Sequence, residues 1–167
     1  MKLIITDTNV LFDIINIGAL PEFFSLDLEI LTTVFVLEEV TSPQQRELIE
    51  TFIRAKKLDI VEFSENEIDE IANFDLLKNL KRFTDKSVIW KSLQLKCSLL
   101  TGDKKMREVA EKLGLEVHGT IWVIDELFNG KRISSPKALA LLERLMQTNN
   151  WLPKGEIEKR INKIKGK

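Results

Sequence analysis

Five short apolar runs, each followed by a stretch of helical periodicity, leave this chain few folds to choose from. The runs span residues 2–6, 28–32, 58–63, 97–101 and 115–118. They are continuous rather than alternating and rich in leucine and β-branched residues, which suits strands covered on both faces of a parallel sheet. Helical patterns fill the gaps at residues 10–17, 33–40 and 43–56, the last carrying Leu48, Ile49, Phe52 and Ile53 on one face. Ser64 and Glu67 form a capping box for a helix over 65–78. Thr84 is the expected cap of a helix over 85–96, and Gly114 the stop of one over 104–113. Another helix is expected over 120–128. Strands alternating with helices mean βαβ units, hence an α/β domain in three layers, α/β/α, around a mostly parallel sheet of about five strands. Ser135-Pro136 opens a further helix to about residue 147, with proline at an early helical position. A charged helix over 156–165 follows. Residues 1–130 are therefore expected to form the domain, and 131–167 a C-terminal helical extension of it.

With 167 residues the chain is long enough for one sizeable core. Lysine and arginine number 25 against 26 acids, a formal charge of −1, so any polyanion must be met by a local basic patch. The single cysteine, Cys97, excludes an intrachain disulfide, and its apolar neighbours predict a buried thiol. His118 is the single histidine, which rules out a histidine-rich zinc site and favours oxygen-ligated Mg²⁺ or Mn²⁺ for any metal chemistry. No apolar run approaches the ~20 residues of a membrane span, and Met1-Lys2 leads directly into a strand rather than a signal peptide. No membrane association and a cytoplasmic location are expected.

Several acids fall where strands end and helices begin. Asp7 closes the first strand. Glu38 and Glu39 lie on the helix after the second, and Asp85 falls in the first turn of its helix, where the macrodipole favours negative charge. Asp103 closes the fourth strand after Leu99-Leu100-Thr101-Gly102. In a parallel sheet these points share one edge, and carboxylates converging there repel one another unless cations intervene. One or two bound Mg²⁺ ions answer that repulsion. Taken singly, Asp7 could be a strand-end cap, Asp85 a helix-start charge and Asp103 a turn residue. Their joint placement argues for a site.

These residues resemble those of the PIN-domain ribonucleases, in particular the VapC-type toxins of toxin–antitoxin systems and their stand-alone relatives. The matching pieces are Ile5-Thr6-Asp7-Thr8-Asn9-Val10-Leu11, then Thr33 with Glu39-Val40, then Thr84-Asp85 with Ser87 and Ile89, and finally Leu99-Leu100-Thr101-Gly102-Asp103-Lys104-Lys105. Gly114 to Val123 is similar to the last strand and helix of one PIN subgroup. Val36 stands where the family often has threonine, and Lys86 where a small residue is common. The resemblance implies a PIN-like fold in which Asp7, Glu39, Asp85 and Asp103 form a catalytic acidic quartet holding Mg²⁺ or Mn²⁺. Asn9 and Thr101 would orient Asp7 and Asp103. Glu39 is preferred to Glu38 because it precedes the apolar Val40 and follows Thr33 at the family's spacing.

The activity so implied is metal-dependent endonucleolytic hydrolysis of RNA, with an antitoxin protein and a second copy of the chain as candidate partners. Lys81, Arg82, Lys104 and Lys105 would contact the RNA backbone, giving affinity without reading sequence. Trp90, Trp122 and Trp151 are expected in the core or an interface rather than as base-stacking platforms. Two other readings compete. One is a PIN-like scaffold that binds RNA or protein with weak or no catalysis. The other is a haloacid-dehalogenase-like phosphatase, which also begins with a strand ending in aspartate. That chemistry needs a second aspartate as general acid where this chain has Asn9, and an amide cannot donate and recover a proton near neutral pH.

Overall fold

Strands β1 (Lys2–Thr6), β2 (Leu28–Thr33), β3 (Asp59–Val61), β4 (Ser98–Leu100) and β5 (Val117–His118) make one sheet in the order β3-β2-β1-β4-β5. Every pairing is parallel, with Ile4 registered against Ile30 on one side and Ser98 on the other. The structure is a computed structural model that describes residues 2–166. Met1, where the chain is expected to enter its first strand, and Lys167, the end of the basic tail, lie outside the described residues.

Strand order explains where a ligand can enter. The chain runs outward from β1 to β3, then crosses back to place β4 on the other side of β1. The reversal opens a crevice between the carboxyl ends of β1 and β4, the place where open α/β sheets bind ligands.

Helices α1 (Thr8–Asn16), α2 (Leu20–Phe23), α3 (Val34–Glu39), α4 (Pro43–Arg54), α5 (Glu65–Ala72), α6 (Phe83–Leu95), α7 (Lys104–Lys112), α8 (Thr120–Asn129), α9 (Ser135–Thr148) and α10 (Lys154–Lys165) surround the sheet. Ile4, Ile5 and Leu99 from the strands are fully buried, as are Val10, Leu11 and Ile14 of α1 and Val88 and Ile89 of α6. Each such side chain contributes roughly 1.5–3 kcal/mol on leaving water. Helices α8 and α9 extend this core, and α10 adds to it with Ile157, Ile161 and Ile164. The basic tail helix thus packs on its own domain. Cys97 is buried, as its neighbours predict.

The expected helix over 65–78 is interrupted. Helix α5 starts with the complete Ser64–Glu67 capping box but ends at Ala72, and a single 3₁₀ turn occupies Asp75–Leu77. Asn73 ends it, donating its side-chain amide to the carbonyl of Asp69 at 2.8 Å. Helix α6 begins at Phe83 with Arg82 as its N-cap, so Thr84 is already helical and does not cap. Among the described residues, no helix is long and apolar enough to cross a membrane.

Candidate active site

Asp7 caps α1 at the carboxyl end of β1, and its backbone N–H donates to Leu100 of β4 at 2.9 Å. Its side chain is fully buried. One carboxylate oxygen accepts the Thr8 N–H at 2.7 Å. The other accepts the Asn9 side-chain amide at 2.7 Å and the Thr101 hydroxyl at 3.1 Å. Burial pushes the Asp7 carboxyl up from 3.8 to about 6, against the Thr8 N–H, which favours the charged form. The negative charge of Asp85 raises it further, while Thr101 and the Arg82 cation pull it back.

Asn9 and Thr101 clamp the crevice between β1 and β4. Asn9 offers its carbonyl oxygen to the Gly102 N–H at 2.7 Å while its amide serves Asp7. A Cβ on Gly102 would lie 3.2 Å from that oxygen, so glycine allows the close approach. Thr101 accepts the Asp103 N–H at 3.1 Å. The side chain of Asp103 caps α7, one oxygen accepting the Met106 N–H at 2.8 Å. Its other oxygen carries no hydrogen bond among the described residues and faces an exposed edge.

Across the crevice, Thr33 caps α3 through the Val36 N–H at 3.3 Å and meets the Ser87 hydroxyl of α6 at 3.3 Å. This contact sets α3 beside α6, and so Glu39, the last residue of α3, beside Asp85 in the first turn of α6. Glu39 accepts the Thr8 hydroxyl at 2.6 Å and an Arg82 N–H at 3.3 Å. Arg82 binds Asp85 with two further nitrogens, at 2.6 and 3.3 Å. Such fork-like pairing is geometrically specific. Glu38 is exposed. Of the two glutamates, Glu39 is the one that joins the network.

A protein-family model described as a PIN domain matches residues 3–166. The chain belongs to the PIN-domain family. PIN domains are in general nucleases, hydrolases acting on nucleic acids, and in general use divalent metals. No curated protein matches this sequence closely enough to count as a relative.

The donor set of this PIN domain suits a hard divalent cation, since every acid at the crevice offers carboxylate oxygen. Among the described residues, no three His, Cys, Asp or Glu side chains are gathered tightly enough to hold a metal ion by themselves. The hydrogen bonds explain why. Arg82 spans Asp85 and Glu39, the Thr8 hydroxyl reaches Glu39 from the Asp7 side, and Asp103 joins Asp7 through its backbone and Thr101. A cation with few protein ligands and several waters, the habit of Mg²⁺, fits this spread better than a closed cage.

Lys81, Lys104 and Lys105 are exposed near this edge, as a phosphate-contacting role requires. Arg82, expected at the rim with them, is turned inward onto the acids. Sequence reasoning missed this bridging role and that of Thr8. The position of Arg82 three residues before Asp85, one helical turn, was the available signal.

Proposed function

We propose that this PIN domain is a metal-dependent endoribonuclease, with Asp7, Glu39, Asp85 and Asp103 as its acidic site. Mg²⁺ or Mn²⁺ held there would activate water and offset charge on the phosphate, with Asp7 and Asp103 as direct ligands and Asp85 and Glu39 joining directly or through water. The observation that carries this reading is the buried Asp7 carboxylate at the switch point, oriented by neutral donors and within reach of the charge of Asp85. Capping α1 engages only one of the two Asp7 oxygens, so the second, held by Asn9 and Thr101, is left for a further role. Asn9 and Thr101 hold one oxygen of Asp7 and the Thr8 N–H the other, while Thr101 also fixes the start of α7. Arg82 offsets the charge of Asp85 and Glu39, and Lys81, Lys104 and Lys105 supply phosphate contacts.

Asn9 also weighs against the phosphatase reading. Its amide is committed to Asp7 and its carbonyl to Gly102, so it acts as a brace between two loops. As the toxin of a toxin–antitoxin pair, the domain would be silenced by an antitoxin segment covering this acidic edge. Co-purification with the product of an adjacent reading frame tests that use.

The deciding experiment is cleavage of a mixed RNA panel with Mg²⁺, Mn²⁺ or EDTA, with Asp7→Asn and Asp103→Asn run in parallel. Cleavage is expected only with metal and only with both aspartates intact. Undiminished activity of Asp7→Asn would remove the site. Metal-independent RNA binding with no cleavage under any condition would leave the scaffold reading.

A further inference from the structure

A second depression begins at Gly102 and Lys104, beside Asp103, and runs past His118 and Trp122 to Trp151 in the turn between α9 and α10, enclosing about 510 Å³. Trp151 is 97% exposed, which excludes the core half of the expectation of a core or interface position. Trp90 meets that expectation and lies buried beside Phe63. Trp122 is half-buried and stacks on His118 with ring centroids 4.0 Å apart, forming part of the groove wall.

The turn carrying Trp151 is anchored. Its backbone N–H donates to the Asn149 side chain at 3.0 Å, and Asn149 donates in turn to both oxygens of buried Asp13 at 2.9 and 3.1 Å. The indole is therefore presented from a fixed backbone. An aromatic face left in water is costly for folding and useful for stacking.

Charge runs along the same groove. Lys104 projects into solvent at its mouth, with 91% of its side chain exposed and its nearest carboxylate, that of Glu108, 3.9 Å away. Arg107 stands behind it, fixed by the Thr101 and Val117 carbonyls at 3.3 and 3.0 Å and paired with Glu111 at 3.4 Å. The lining acid, Glu156, is already paired with Lys159 and Arg160 at 2.9 and 2.6 Å. Cations thus lead away from Asp103 toward an exposed aromatic ring.

We infer that this groove carries single-stranded RNA away from the acidic edge, with a phosphate at Lys104 and a base stacked on Trp151. The inference rests on the nuclease reading and adds the strand's path; a base within a duplex has no free face to offer the indole, so the strand is unpaired at Trp151. The cations at the mouth complement a polyanion, and Lys104 follows Asp103 directly in the chain, so a phosphate that reaches Asp103 has Lys104 beside it.

The test uses the wild-type protein in EDTA, so that binding is read without metal-dependent cleavage. The probe is a fluorescein-labelled oligoadenylate of about ten nucleotides, within the site sizes common for single strands. Trp151→Ala is expected to weaken binding roughly ten-fold, the order found when one stacking aromatic is removed, and Trp151→Phe to restore most of it. An abasic strand of equal length should bind wild type and Trp151→Ala alike. Lys104→Ala should weaken both strands and flatten the salt dependence. Because Trp151 is exposed, an unchanged melting temperature confirms that the variant is folded.

Equal oligoadenylate binding by Trp151→Ala and wild type would overturn the inference while leaving metal-dependent cleavage, and so the nuclease reading, in place. A fall in sedimentation mass with no change in binding would assign the surface to a second copy and overturn it as well. A wild-type protein that neither cleaves nor binds RNA would overturn both readings.

Discussion

The two sides of the crevice hold their acids by opposite means. On the β1–β4 side, Asp7 is fully buried and oriented by neutral donors, the Thr8 N–H, the Asn9 amide and the Thr101 hydroxyl. On the α3–α6 side, Asp85 and Glu39 are tied by the Arg82 cation. Neutral donors fix direction without cancelling charge, so Asp7 remains an anion in need of a counter-ion. Arg82 supplies one locally, and a metal engaging Asp85 or Glu39 must compete with it. On the proposed reading, the first side would attract a cation and the second would set how tightly it is held.

Asp7→Asn is the severest way to break this comparison. RNA cleavage in Mg²⁺ should fall by at least about 100-fold, beyond the 10–100-fold typical of changes to groups that only orient a ligand. Replacing Asp85 with Asn should cost less than replacing Asp7, because its partner Arg82 then becomes free to pair with Glu39 alone.

Asp7 also sets a pH dependence. Its carboxyl is raised from 3.8 to about 6, mainly by burial, so the folded protein binds this proton more tightly than the unfolded chain. The resulting contribution to stability is complete below about pH 4 and is lost as pH rises through about 6. The rise from 3.8 to about 6 corresponds to ~3 kcal/mol at most. Urea titrations of metal-free protein should show Asp7→Asn gaining on wild type across that window, with a constant difference above it. A flat difference from pH 4 to 7 would mean that neutral donors had compensated burial.

Asn9→Ala comes next. It removes one donor from Asp7 and the acceptor of the Gly102 N–H, and should lower cleavage about 10–100-fold with the metal still bound. Mn²⁺ binding followed by electron paramagnetic resonance checks that the metal is retained.

Arg82→Gln should have the smallest effect on stability, about 1 kcal/mol, because the arginine side chain is half exposed and solvent screens its pairs. It should nevertheless tighten Mn²⁺ binding several-fold by removing the competing cation. Weaker Mn²⁺ binding would show instead that Arg82 preorganises Asp85 and Glu39.

Much of this arrangement was legible in the sequence, for identifiable reasons. The strands are continuous apolar runs, so their existence was readable though not their order in the sheet, and Asp7 and Asp103 stand out because each closes such a run. Strand ends were less clear. The run at 58–63 shortens to Asp59–Val61 because β3 is an edge strand paired only with β2. Helix α2, Leu20–Phe23, is too short for its periodicity to show. Asn73 breaks the expected 65–78 helix through a side-chain bond that periodicity does not register. At the site, Thr8 reaches Glu39 across 31 positions and Arg82 reaches it across 43. Pairings at that range depend on how α3 and α6 pack, which no local pattern encodes. For Trp151 the sequence left core and interface open, and the anchored turn that holds the indole out excludes the core.

The central position of β1 has a consequence for how the molecule assembles. This strand pairs with β2 on one side and with β4, Ser98–Leu100, on the other. During synthesis β1 and β2 are made long before β4, so one edge of β1 stays open while most of the chain is still to come. Such an unpaired apolar edge is exposed to association with other chains. Thr101 and Asp103 arrive only when β4 docks, so the acidic crevice closes late, in a non-local step that folds slowly compared with helix formation. Nascent chains shorter than this point therefore carry Asp7 without the loop that completes its surroundings.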